Sequence, residues 1–349
     1  MAEYIFRLPQ ITQLTISQQA ALNEIKQIAL SGGPGTGKSV VSLRRHIRNY
    51  QIDKKSLLLT FTTTLAKYLS ACCRIENGNA ANNVKTSLKG KPANAIGLTE
   101  VIIDEAQDLP INYYQSLKQV IPTISYGADD SQILYPDDCS TEKQLKELFP
   151  KNEDYLLDKN YRNTQRIMKF AKIVFPNAYI PQSIITGLTN NIGELPILLI
   201  SNGDKFEVTN EKQDKSIIEI INSFRSDTHN IAILVPFKGD AKVFETVLKD
   251  NSIADFSIYY DDTNRFPSGC GDIKNVHITT FKSAKGLEFD TVIIPNFHKR
   301  YEICGKGYKI EWNDYYVGVT RARSNLYLIS NYNIPQLNAV PPLTDKQIL

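Results

Sequence analysis

The sequence contains no Cys-x-x-Cys pair. Its five cysteines stand at 72, 73, 139, 270 and 304 of 349 residues, a spacing that argues against a disulfide scaffold or a zinc ribbon. No apolar run approaches the length of a membrane-spanning helix, so no membrane partner is expected. Met1-Ala2-Glu3-Tyr4 offers neither a basic n-region nor an apolar h-region. No signal peptide is expected there, and the expected compartment is the cytoplasm. Charge of one sign is scarce: 40 Lys and Arg against 37 Asp and Glu leave a net +3. That balance allows a nucleic-acid partner without requiring one; the basic residues would have to be gathered in a groove. Short-period repeats, low-complexity tracts and nuclease, deaminase or metal-cluster motifs are also missing. Any second chemical activity is therefore expected from a partner chain.

What remains is an ordinary globular composition, 42% hydrophobic and 22% charged, at a length that suits two or three domains with real cores. Strands are expected at Ile25–Leu30, Ser56–Phe61, Val101–Asp104 and Ile124–Gly127. Helices are expected from the Gly-rich turn to about Tyr50, near Leu65–Cys72 and from about Pro110. Apolar runs without alternation suit parallel strands covered on both faces, and their alternation with helices predicts a doubly wound α/β sheet. The stretch Pro176–Pro196 is loose and polar, and a boundary inside it predicts domains 1–182 and 183–349. Strands then resume at Leu195–Ile200, Ile231–Val235, Val276–Thr280, Thr291–Ile294 and Leu326–Ile329, with a helix over about Trp312–Arg321. Asn77–Asn83 reads as an exposed loop.

Gly32-Gly33-Pro34-Gly35-Thr36-Gly37-Lys38-Ser39 fits G-x-x-x-x-G-K-[ST] between a predicted strand and a predicted helix. Each residue type has a task. Glycines let backbone N–H groups turn inward as an anion nest, and the helix N-terminus adds positive potential. Lys38 reaches the β- and γ-phosphates, and the Ser39 hydroxyl is an Mg²⁺ ligand. Val101-Ile102-Ile103-Asp104-Glu105 is an apolar strand ending in two carboxylates. Alone, such a pair reads as a solvated turn. Downstream of a phosphate loop, Asp104 reads as the Mg²⁺ residue and Glu105 as the general base that polarises the attacking water.

Asp104-Glu105-Ala106-Gln107-Asp108 resembles the D-E-x-Q-D box of superfamily 1 helicases of the UvrD/PcrA/Rep type. Further segments follow in that family's order. Gln18 is similar to the adenine-reading glutamine, Thr60-Phe61-Thr62-Thr63-Thr64-Leu65-Ala66 to motif Ia, and Gly127-Ala128-Asp129-Asp130-Ser131-Gln132 to the G-D-x-x-Q motif III. Asn160-Tyr161-Arg162 resembles motif IV. Ser283-Ala284-Lys285-Gly286-Leu287-Glu288-Phe289 and Tyr316-Val317-Gly318-Val319-Thr320-Arg321-Ala322 resemble the two most distinctive family strings.

The resemblance implies two RecA-like P-loop NTPase domains with ATP and Mg²⁺ held in the cleft joining them. It implies that Gln18, Gly33, Pro34, Gly35, Thr36, Gly37, Lys38, Ser39, Tyr161, Arg162, Gly286, Glu288 and Arg321 bind the nucleotide, with Ser39 and Asp104 on the metal. Catalysis would rest on Glu105, Lys38, Gln132, Arg162 and Arg321, the two arginines meeting charge that spreads over the γ-phosphate. Domain closure and release would ratchet a single DNA strand, for which Phe61, Thr62, Tyr135 and Lys282 are the candidate grips. An ordinary P-loop kinase or GTPase would leave Arg321 and the Ser283–Phe289 string without a role.

The sequence also departs from the family. Lys38 and Asp104 stand 66 positions apart, and Arg162 and Thr280 stand 118 apart. Both accessory subdomains are therefore expected to be absent or stubs, with residues 72–98 as a vestige of the first. Gly127-Ala128 replaces Gly-Asp, acidic Pro136-Asp137-Asp138 follows Tyr135, and Lys282 stands where the family has His. Acidic charge beside a DNA groove is unfavourable. Two functions follow as expectations. One is a 3′-to-5′ ATP-driven motor on single-stranded DNA. The other is a nucleotide-driven subunit that regulates a nuclease or other effector in a bacterial defence or repair complex.

Overall fold

The computed structural model describes residues 3–5, 7–87, 97–178, 180–259, 273–338 and 342–349. The chain forms two compact units, Phe6–Tyr161 and Arg162–Leu349, the latter joined by Met1–Ile5.

The N-terminal unit runs α1 (Ile16–Asn23), β1 (Ile28–Ser31), α2 (Lys38–Gln51), β2 (Ser56–Thr60), α3 (Thr63–Glu76), α4 (Gly78–Ala81), β3 (Val84–Thr86), β4 (Glu100–Ile103), α5 (Ile111–Val120), β5 (Ile124–Gly127), α6 (Glu142–Leu148) and β6 (Glu153–Leu156). Its sheet has the order β3-β2-β4-β5-β1-β6, and every pairing is parallel. β2, β4 and β5 are buried along their whole length, which suits the apolar stretches Leu57–Leu59 and Val101–Ile103. Thr15, Thr62 and Thr141 start α1, α3 and α6 by accepting a backbone N–H. Because the strands are parallel, the residues that follow β1, β4 and β5 share one edge of the sheet. That edge is where α/β proteins bind ligands.

The C-terminal unit runs α7 (Gln165–Val174), α8 (Gln182–Thr186), β7 (Ile197–Ile200), α9 (Glu211–Phe224), β8 (Ile231–Val235), α10 (Lys238–Asp250), β9 (Ser257–Tyr259), β10 (Val276–Thr280), β11 (Phe289–Ile294), α11 (Arg300–Ile303), α12 (Trp312–Val319), β12 (Ala322–Ser330) and β13 (Asp345–Ile348). The sheet order is β13-β7-β12-β11-β8-β10-β9, again with parallel pairings. β8, β10 and β11 are fully buried. No helix among the described residues is long and apolar enough to cross a membrane.

The expected α/β class with mostly parallel sheets holds in both units, but three local expectations differ from the structure. The compact units divide between Tyr161 and Arg162, not at 182/183. Asn163 Nδ2 donates to the carbonyls of Thr320 (3.0 Å) and Ala322 (2.6 Å). Phe170 and Phe175 pack against Phe297 and Tyr316, so α7 belongs to the C-terminal core. Asn77–Asn83 is not an exposed loop. Asn77 caps α4 by accepting from Ala80 N at 3.0 Å, and Ala80 and Ala81 are buried. Within 72–98, residues 72–87 supply the end of α3, α4 and the edge strand β3. Residues 88–96 of that stretch, like Cys270, lie outside the described residues.

Candidate nucleotide site

The phosphate loop joins β1 to α2. Gly32 has φ 140°, and a Cβ there would lie 2.3 Å from the Leu157 carbonyl oxygen. Gly37 has φ 90°, and a Cβ there would lie 2.4 Å from Gln18 Nε2. Gly32 needs glycine on backbone and steric grounds, and Gly37 on backbone grounds. Thr36 Oγ1 donates to the Gly33 carbonyl at 2.9 Å, and Asn160 Nδ2 donates to the Pro34 carbonyl at 3.0 Å. Tyr161 N donates to the Gly35 carbonyl at 2.9 Å. The loop is thus braced by its own side chains and by the chain leaving β6. Lys38 and Ser39 open α2, a 14-residue helix whose N-terminal N–H groups and dipole favour an anion.

Lys38 is buried. Its ammonium donates to the carbonyls of Gly32 and Gly33 and lies 3.4 Å from Asp129 Oδ2. Gly127, at the end of β5, sits among the others: a Cβ built on it would be 3.5 Å from Lys38 Cβ, 3.6 Å from Asp104 Oδ1 and 3.7 Å from Ser42 Oγ. Asp104 follows β4 and is 1% exposed. Glu105 takes a left-handed backbone, φ 56° and ψ 46°, uncommon for a residue with a Cβ. Its Oε2 accepts from Gln107 Nε2 at 2.7 Å. Lys38, Asp104 and Glu105 therefore meet at one edge, beside the half-buried Ser39. A Gly cradle that admits no Cβ, a buried ammonium, a helix N-terminus and a buried carboxylate with a neighbouring hydroxyl fit a triphosphate with Mg²⁺.

Gln18 and Tyr161 share a neighbour on the flank of this loop. Thr15 N donates to Gln18 Oε1 at 3.0 Å, and Gln18 Nε2 donates to the Thr36 carbonyl at 2.9 Å. The Tyr161 hydroxyl lies near the Thr15 side chain, and partial burial raises its pKa. The ring itself is 48% exposed. Gln132 Nε2 donates to Asp129 Oδ2 at 2.5 Å, so the carboxylate that faces Lys38 also holds Gln132.

In the C-terminal unit, Glu288 forks two arginines. Arg162 Nε donates to its Oε2 at 3.2 Å and Arg323 Nη1 to its Oε1 at 2.5 Å. Gly286, φ 83°, makes the turn that leads to Glu288. Arg321 is 1% exposed. It donates to Val317 O at 3.0 Å, Leu287 O at 3.4 Å and Thr320 Oγ1 at 3.3 Å. Its guanidinium is thereby set at the end of α12, against the Gly286–Glu288 turn.

Of the candidate nucleic-acid residues, Phe61 and Tyr135 are half-buried and their rings lie 5.1 Å apart. Thr62 is buried and caps α3 by accepting from Leu65 N at 3.2 Å, which gives it a structural task. Lys282 is in the other unit, 3.8 Å from Asp314 Oδ1. Burial pushes the Asp314 carboxyl up to about 6 against the pull of Lys282.

Asp129, Gln107 and Arg323 were not among the residues expected from sequence. The signal for Asp129 was present. Read one residue later, Asp129-Asp130-Ser131-Gln132 keeps the D-x-x-Q step, with Ala128 in the glycine's place. Motif III has thus not lost its acid, as the Gly127-Ala128 alignment implied.

Together these features define a P-loop α/β protein with RecA-like units. Residues 263–333 match the UvrD-like helicase C-terminal domain. A protein of Acanthamoeba polyphaga mimivirus, provisionally named an ATP-dependent DNA helicase, is 27% identical over 337 residues, covering 84% of this chain and 46% of its own length. The chain thus spans about half the length of that relative. Saccharomyces cerevisiae Dbp5, solved with RNA and ADP BeF3, shares the fold with a TM-score of 0.56 at 13% identity, over 95% of this chain and 89% of that one. The chain is thus similar to UvrD-like helicases over residues 263–333 and to the viral helicase-like protein over most of its own length.

Proposed function

We propose that this chain binds ATP at the Gly32–Ser39 loop and hydrolyses it to drive movement along single-stranded DNA in the 3′-to-5′ direction. The observation that carries the reading is the convergence of Lys38, Asp104, Glu105 and the Asp129–Gln132 turn at one sheet edge. Glu105 accepts a proton from the attacking water as the bond from the γ-phosphorus to the bridging oxygen breaks. Lys38 offsets the charge gathering on the phosphates, and Arg162 and Arg321 add positive charge against it. Ser39 and Asp104 are the groups for Mg²⁺, which supplies Lewis-acid charge neutralisation when bound. Gln18 and Tyr161 receive the adenine, and Gly286 and Glu288 serve the nucleotide from the C-terminal unit. Phe61, Tyr135 and Lys282 grip the strand, and Thr62 holds the start of α3 beside Phe61.

The exposed acids Asp137 and Asp138 beside Tyr135 favour a second reading, in which the ATP cycle regulates a protein partner such as a nuclease. One experiment addresses both. ATP turnover is measured with and without single-stranded DNA for the wild type, Lys38→Ala, Glu105→Gln and Arg321→Ala. Lys38→Ala and Glu105→Gln should lose roughly 10²-fold or more, and Glu105→Gln should still bind ATP. Arg321→Ala should bind ATP and lose turnover. Turnover within about threefold of wild type in the first two variants removes the site. Stimulation by DNA of about tenfold or more supports the motor; its absence, with activity restored by a co-purifying protein, supports the second reading.

A further inference from the structure

We infer that Gln107 is a positioning residue that aims the Glu105 carboxylate and ties it to the Asp129–Gln132 turn. The inference rests on the hydrolytic reading above and deepens it. Gln107 is 0% exposed and lies in the 3-10 turn Ala106–Asp108 that follows Glu105. Its amide is used at both ends: Nε2 donates to Glu105 Oε2 at 2.7 Å, and Oε1 accepts from Asp129 N at 3.1 Å. Exchanging the two ends would set a carbonyl oxygen against a carboxylate and an NH₂ against an N–H. The two partners therefore fix the amide's orientation.

The backbone around Gln107 is held as well. Ser140 N donates to the Gln107 carbonyl at 3.1 Å. Tyr114, fully buried, donates its hydroxyl to the Ala106 carbonyl. The far end of the relay is Asp129, whose Oδ2 accepts from Gln132 Nε2 at 2.5 Å and lies 3.4 Å from Lys38 Nζ. One buried amide thus joins the general base to the acid that faces the phosphate-loop lysine. A glutamine needed only to close the turn would spend its amide on the turn's own backbone.

Two variants test this through kcat and KM for ATP. Gln107→Glu keeps an acceptor for Asp129 N and replaces the donor to Glu105 with a second acid. Gln107→Met keeps the length and removes both bonds. Each should hold KM for ATP within about threefold while kcat falls tenfold or more. A kcat unchanged from wild type in a folded variant overturns the inference. So does a loss that appears only as lower melting temperature and fewer active molecules. If Gln107→Met does not fold, Gln107→Glu alone decides. Lys38→Ala run alongside separates the two readings. If Lys38→Ala also turns over ATP like wild type, the hydrolytic reading has failed. If it is dead while the Gln107 variants behave like wild type, only the role of Gln107 has failed.

Discussion

At the scale of single residues, the phosphate loop leaves almost no latitude. Gly32 combines a φ of 140° with a carbonyl oxygen 2.3 Å from where a Cβ would sit. That oxygen is backbone and cannot swing aside. Gly32→Ala should therefore cost the unit about 1–3 kcal/mol and weaken ATP binding at least tenfold, as read by thermal melting and nucleotide titration. ATP binding within about twofold of wild type would show that the loop can shift to make room. Chemistry of this kind dictates residue type at fixed spacing, and Gly32, Gly37, Lys38, Asp104 and Glu105 are singled out in the sequence on that ground. Asp129 and Gln107 are not. Asp129 was hidden by an alignment shifted by one position. Gln107 matters for the direction of an amide, and spacing does not encode that direction.

At the scale of elements, the N-terminal sheet is anchored by a buried polar cluster. Glu100 at the start of β4 accepts from Arg45 Nε at 2.8 Å, Asn49 Nδ2 at 2.7 Å and the Ser125 hydroxyl. It thereby ties α2 and β5 to β4. Arg45 and Glu100 are both nearly fully buried. Arg45 also donates to the carbonyls of Glu24 and Lys26. Glu100→Gln leaves the guanidinium buried without its countercharge. It should lower stability by about 3–5 kcal/mol in urea denaturation, and a loss below about 1 kcal/mol would mean that the carbonyls alone satisfy Arg45. Central strands such as Ile231–Val235 and Val276–Thr280 were legible to the residue, because their β-branched and apolar residues suit strands buried on both faces. The edge strands β6 and β13 were not. Glu153–Leu156 alternates between half-buried and exposed, and Asp345–Ile348 is exposed throughout, so pairing alone makes them strands.

At the scale of the whole molecule, buried histidines link stability to pH. His46 donates or accepts between Ser56 Oγ (2.8 Å) and the Ala80 carbonyl (2.9 Å). The carbonyl can only accept, so Nε2 carries the proton and Nδ1 accepts from Ser56. Burial pushes the His46 pKa down to about 4, with His298 at about 4 and His277 at about 3 for the same cause. A folded-state pKa below the unfolded one means that the unfolded chain binds more protons. Each group's contribution is then complete above about 6.5 and is lost as pH falls toward the folded value. Asp214 and Asp314, both raised to about 6 by burial, act in the opposite sense between about 6 and 3.8. His46→Gln should therefore lose about 2 kcal/mol less than the wild type on going from pH 7 to pH 5. Equal losses in the two proteins would show that His46 does not titrate in that window.

By itself the sequence determined the α/β class, the phosphate loop with its two carboxylates, and the resemblance that orders the remaining motifs. Each of these follows from residue type, spacing or a long apolar run along the chain. Only the tertiary structure decided that the units part at Tyr161, that α4 is a buried turn of helix, and that Asp129 and Gln107 join Lys38 to Glu105. Those facts depend on which side chains meet after distant segments pack, and such meetings leave no periodic trace in the sequence.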